Sequence, residues 1–131
     1  MIRILIVDDH EHIRHLVRLL VEAEEGWVVC GEAADGQQAI DQCEVLAPHL
    51  VILDIRMPVQ NGFDTSHEIH RRFPQVLVLM LTTDESSHFA LAAATCSAKG
   101  FLTKARAADH LVAAVSTLLR GETYFPTAEA N

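Results

Sequence analysis

Four short apolar runs recur along the chain: Ile2-Arg3-Ile4-Leu5-Ile6-Val7, Val28-Val29, Leu50-Val51-Ile52-Leu53 and Val76-Leu77-Val78-Leu79-Met80-Leu81. Nearly continuous apolar strands are what a parallel sheet needs when both of its faces are covered. The intervening segments carry helical periodicity. In the first of them Ile13, Leu16, Val17, Leu20 and Val21 recur at i, i+3, i+4, i+7 and i+8, while Arg14, His15, Arg18 and Glu22 fall on the other face. Asp35-Gly36 reads as a cap before a second helix that carries Ala39, Ile40, Cys43 and Ala47 and closes at Pro48. A third helix over 63–73 stops at Pro74. A fourth begins near Asp84 and runs through an alanine-rich stretch to Cys96, Gly100-Phe101-Leu102-Thr103 forms a short fifth strand, and a fifth helix carries Leu111, Val112, Val115, Leu118 and Leu119. Five β-α repeats with right-handed crossovers give an α/β fold, a five-stranded parallel sheet with helices on both faces.

The length of 131 residues fits one domain, and a chain of this size buries roughly two-thirds of its unfolded surface, so its core needs no metal or disulfide staple. Ten Lys and Arg against eighteen Asp and Glu give a net charge of −8. That balance disfavours sequence-independent nucleic-acid binding, where phosphate neutralisation supplies most of the affinity, and anionic membrane surfaces alike. Cys30, Cys43 and Cys96 are far apart and form no Cys-x-x-Cys pair, so small buried residues in a reducing cytosol are expected. Val76 to Leu81, the longest apolar run, is too short to span a bilayer. A soluble, cytoplasmic protein is the expectation.

In a doubly wound sheet, ligands bind at the C-terminal ends of the strands. Strand 1 ends in Asp8-Asp9, strand 3 in Asp54, strand 4 in Thr82-Thr83, and strand 5 runs into Lys104. Any one of these acids is explained by helix capping or a solvated loop; the set is not. Carboxylates about 4 Å apart repel by roughly 4 kcal/mol at an effective dielectric of 20, so gathering them calls for a cation. A hard divalent ion such as Mg²⁺ fits, because it accepts carboxylate and carbonyl oxygens and leaves positions for phosphate oxygens. No glycine-rich dinucleotide loop, P-loop or G-x-S-x-G elbow is present.

Val7-Asp8-Asp9-His10, Leu53-Asp54-Ile55-Arg56-Met57-Pro58 with Asn61-Gly62, Leu81-Thr82, and Gly100-Phe101-Leu102-Thr103-Lys104 together resemble the receiver domain of two-component response regulators. Ala98 to Lys104 and the tail Arg120-Gly121-Glu122-Thr123-Tyr124-Phe125-Pro126 are similar to the subfamily that continues into a LuxR-type helix-turn-helix. The resemblance implies strand order 2-1-3-4-5, a receiver over residues 1–120, and a tail over 121–131 that opens a linker to a DNA-binding domain. It implies that Asp54 accepts a phosphoryl group from a sensor histidine kinase or phosphotransfer protein. Asp9, Asp54 and the Arg56 backbone carbonyl would hold Mg²⁺, with Mn²⁺ as a substitute, and Asp8 would act through water. Lys104, Thr82 and the Thr83 backbone amide would stabilise the phosphoryl group. Thr82 and Phe101 would switch the face formed by the fourth helix, fifth strand and fifth helix, with homodimer formation as one outcome. Phosphoryl transfer needs in-line positioning and charge neutralisation more than covalent help, which suits this allocation.

Ala105 stands where many receivers have proline, and Thr83 where alanine or glycine is usual. Arg56 and Asp84 flank the site, and their mutual attraction is expected to tune the lifetime of the acyl phosphate. A stand-alone single-domain regulator is the alternative to a longer transcription factor. A haloacid-dehalogenase-like phosphatase is disfavoured because Arg56 occupies the second position of its D-x-D motif, and an unphosphorylated scaffold because the acid pocket is complete. The eight histidines, including His10, His12, His15, His67 and His70, read as solvated helix faces, with His10 merely beside the acid pair.

Overall fold

Alternation along each strand sends successive side chains to opposite faces of the sheet, and both faces are apolar. Leu5, Val7, Val51, Leu53, Val78, Met80 and Phe101 pack into one layer. Ile4, Ile6, Leu50, Ile52, Leu79, Leu81 and Leu102 pack into the other. The computed structural model describes residues 1–83, 92–93, 95 and 97–125. Its strands β1 (Ile2–Val7), β2 (Trp27–Ala33), β3 (Leu50–Leu53), β4 (Leu77–Thr82) and β5 (Gly100–Thr103) form one parallel sheet in the order β2-β1-β3-β4-β5.

Helices α2 (Gly36–Leu46) and α3 (Gly62–Arg72) cover the first layer through Ala39, Ile40, Cys43 and Ile69. Helix α1 (Glu11–Glu22) and the C-terminal helix (Ala107–Leu119) cover the second through Val17, Val21, Leu111, Val115 and Leu118. Asp35 caps α2 by accepting from the Gln38 amide at 2.8 Å, and Asn61 caps α3 by accepting from the Asp64 amide at 2.9 Å. Caps of this kind contribute about 1 kcal/mol each. No helix among the described residues is long and apolar enough to cross a membrane.

Two expectations are corrected in α1. Leu16 is 43% exposed, so the buried stripe is narrower than its periodicity suggests. Arg14 and Arg18 do not face away: both guanidinium groups reach over to the Glu32 carboxylate on β2, at 2.9 and 2.7 Å. The fourth helix expected from Asp84 lies largely outside the described residues; residues 92, 93 and 95 are helical and Ala93 is buried.

The C-terminal helix ends in a left-handed Gly121, with hydrogen bonds from the Gly121 amide to the Leu118 carbonyl and from the Glu122 amide to the Thr117 carbonyl. This pairing reverses the chain and satisfies the last carbonyls. Tyr124 then bridges to Gly100 on the outer edge of β5.

Candidate functional site

Strand register builds the site. Val7 of β1 is opposite Leu53 of β3, so the next residues, Asp8 and Asp54, emerge side by side. Their backbones are pinned by bonds from the Asp54 amide to the Val7 carbonyl at 2.9 Å and from the Asp8 amide to the Ala33 carbonyl at 3.0 Å. Thr82 is opposite Thr103, which places the buried Thr82 beside the strand that delivers Lys104.

Asp8 and Asp54 are 3% and 4% exposed. The Lys104 Nζ bridges them, at 2.7 Å from Asp8 Oδ2 and 3.4 Å from Asp54 Oδ2. The other Asp8 oxygen accepts from the His10 amide at 2.8 Å, and its carbonyl accepts from Arg14 Nη1 at 2.6 Å. One ammonium thus serves two buried carboxylates. Burial first, and the neighbouring Asp8 charge second, push the Asp54 carboxyl up to about 6, with Lys104 and the Ile55 amide partly opposing them.

Asp8, Asp9, His10 and Asp54 each offer a ligand atom within 4.8 Å of the others. His10 is closer to this centre than its sequence position suggests: Nδ1 lies 3.0 Å from Asp9 Oδ1 and 3.2 Å from Asp8 Oδ1. The donor set is dominated by carboxylate oxygens, which suits a hard divalent cation. The excess of buried negative charge has the same implication.

The loop after β3 is held close to Asp54 by Gly62. Its amide donates to the Ile55 carbonyl at 2.6 Å, and a Cβ at this position would run into the Asp54 carbonyl oxygen and Ile55 Cα. Asn61-Gly62 therefore serves two purposes, capping α3 and allowing its first turn to touch the backbone of the central acid. Within the same loop Val59 adopts φ 72°, a left-handed conformation unfavourable for a β-branched residue.

Of the residues singled out from sequence, Asp8, Asp9, Asp54 and Lys104 meet at one centre. Thr83 and Arg56 are exposed at the same end of the sheet, Phe101 is 3% exposed within the core, and Asp84 lies outside the described residues. Arg14 went unrecognised because a helical wheel shows only that it leaves the apolar stripe. The available signal was Glu32, an acid on a strand beside two arginines spaced i, i+4.

A family model of the response regulator receiver domain matches residues 4–116. The chain belongs to that family. The transcriptional regulatory protein LnrK of Bacillus subtilis (strain 168) is 38% identical over 126 residues, covering 96% of this chain and 57% of LnrK. The receiver thus spans little more than half the length of that relative. A crystal structure of a LuxR-family two-component response regulator from Aurantimonas sp. SI85-9A1 is similar at a TM-score of 0.91 and 30% identity, over 98% of this chain and 91% of that one. The isolated REC domain of RcsB from Salmonella enterica serovar Typhimurium, in the presence of phosphomimetic BeF3-, gives a TM-score of 0.88 at 26% identity, covering 95% and 93% of the two chains. The receiver is therefore a two-component signalling domain whose relatives include LuxR-family and transcriptional regulators.

Proposed function

We propose that Asp54 is the phosphoacceptor of this receiver. The observation that carries the proposal is the single Lys104 ammonium bridging two buried carboxylates, Asp8 and Asp54. One Asp54 carboxylate oxygen attacks the phosphorus of a phosphohistidine on a sensor kinase or phosphotransfer protein. The P–N bond breaks, an acyl phosphate forms, and the departing imidazole takes up a proton. Lys104 leaves Asp8 to pair with a phosphoryl oxygen, the Thr82 hydroxyl donates to another, and the Thr83 amide faces a third. Buried donors fixed before the reaction act without reorganisation cost.

Asp9, Asp54 and the Arg56 carbonyl would hold Mg²⁺, or Mn²⁺ in its place, with Asp8 acting through water. The ion when bound supplies charge neutralisation to the phosphoryl oxygens. A phosphoryl group adds nearly two negative charges, and movement of Thr82 with Phe101 converts that local change into a new surface around β5 and the C-terminal helix. Output in the cytoplasm through a helix-turn-helix domain to which the 121–131 tail opens a linker is the reading favoured by the LuxR-family and LnrK similarities. A stand-alone regulator is distinguished by the genomic reading frame.

Treatment with acetyl phosphate and Mg²⁺ tests the assignment. Stable label on Asp54, absent from Asp54→Asn, is expected. Label at another residue overturns it, and so does steady hydrolysis of small phosphoesters, which belongs to a phosphatase.

A further inference from the structure

The outer edge of β5 is not bare. The Tyr124 amide donates to the Lys99 carbonyl at 3.0 Å, and the Phe101 amide donates to the Tyr124 carbonyl at 2.8 Å, so the segment after Gly121 adds to β5 as a parallel edge. Its two aromatic side chains straddle the sheet. Tyr124 packs with the layer under the C-terminal helix, and Phe125 with the opposite layer, which contains Phe101. Gly100 makes the close approach possible, since a Cβ there would lie 3.2 Å from the Tyr124 carbonyl oxygen and 2.8 Å from Leu79 Cδ1.

Strand β5 thus carries different attachments at its two ends. Its first residues hold the tail. Its last residue, Thr103, is opposite Thr82 and leads directly into Lys104, which is bonded to Asp8 and Asp54. Four residues of strand span only about 13 Å. A strand this short sets the tail contacts and Lys104 close together at its two ends, and the tail is tied to it by the two backbone hydrogen bonds of Tyr124 and by the packing of Tyr124 and Phe125.

We infer that residues 122–125 form a strap on the edge of β5, attached while Lys104 pairs with Asp8 and Asp54 and loosened when a phosphoryl group on Asp54 recruits Lys104 and Thr82. The inference rests on Asp54 being the acceptor. The strap is the recognition element for the β5 edge, using strand addition as extended peptides do on other exposed edges, and its occupant is the chain itself. Coupling between two sites is reciprocal: if occupation of the pocket loosens the strap, loss of the strap must tighten binding in the pocket by the same factor.

The test uses beryllofluoride with Mg²⁺ as the probe on the full chain. Amide hydrogen exchange at Phe101 and Tyr124 is expected to accelerate tenfold or more when the probe is bound. Tyr124→Pro, which removes one donor, and Phe125→Ala, which removes the packing, are each expected to bind the probe more tightly. For either variant the gain in affinity should match the loosening that the probe causes in the parent strap. Unchanged exchange with the probe bound overturns the strap while leaving the acceptor intact, as do variants with unaltered affinity. Exchange that slows with increasing protein concentration assigns the edge to a second copy and overturns the inference. Failure of the parent chain to bind the probe at all removes the acceptor reading and the strap with it.

Discussion

Two charged clusters sit at the C-terminal ends of the strands that flank β1, and their stoichiometries are opposite. At Glu32, on β2, one carboxylate is held by Arg14 and Arg18. At Asp54, on β3, two buried carboxylates share one lysine. Burial pushes the Glu32 carboxyl upward, but hydrogen bonds and charges from Arg18 and Arg14 outweigh it and the net shift is downward. At Asp54 burial and Asp8 outweigh Lys104, and the carboxyl rises to about 6. The Glu32 cluster is complete as it stands and fixes α1 against the sheet. The Asp54 cluster is short of positive charge, which suits a site that takes up a cation and then a phosphoryl group.

The largest effect is expected from making the Asp54 cluster poorer still. Lys104→Ala leaves two buried carboxylates without their ammonium and should cost about 3 kcal/mol or more in denaturant unfolding, with much of the loss recovered on adding Mg²⁺. Asp54→Asn should work in the opposite direction. It removes a carboxylate that burial and Asp8 push up to about 6, and should stabilise the fold at pH 7 by up to about 3 kcal/mol. Should urea midpoints show Asp54→Asn to be destabilising, the charge excess is not real. Gly62→Ala, which forces a methyl group against the Asp54 backbone, should cost about 2 kcal/mol, seen as a lowered melting temperature.

The two clusters also predict opposite pH responses. For Asp54 the folded value lies above the unfolded one, so its contribution is fully present below about pH 3.8 and is lost as pH rises through about 6. For Glu32 the folded value is depressed, so its contribution is present above the unfolded value of 4.5 and is lost as pH falls through the folded one. Unfolding curves from pH 4 to 7 for Asp54→Asn and Glu32→Gln, each against the parent, should separate these slopes. The smallest effect should come from Val59→Gly, which relieves a left-handed β-branched residue beside Asp54 and should stabilise by about 1 kcal/mol. Equal midpoints for the two chains would show that the loop stores no strain.

The parallel sheet was legible because four apolar runs and a short fifth strand alternate with helical segments, its strand order followed from the family resemblance, and the order of β-α units placed Asp8, Asp54, Thr82 and Lys104 at one edge. What sequence periodicity could not supply was reach. Arg14 and Arg18 lie off the apolar stripe of α1, yet their long side chains cross to a strand. His10 follows the acid pair in sequence, yet its ring turns back onto both carboxylates. Tyr124 lies past a helix-ending glycine, where the chain reads as a departing tail, and only the backbone reversal at Gly121 returns it to β5. Each of these depends on contacts between elements that no local pattern encodes.

The carboxyl carbon of Asp54 reports the charge balance directly. A ¹³C titration without divalent ions should give an apparent value of about 6, and added Mg²⁺ should move it sharply down. An ordinary aspartate value near 3.8, indifferent to Mg²⁺, would contradict the account of Asp54 as the under-neutralised centre of the site.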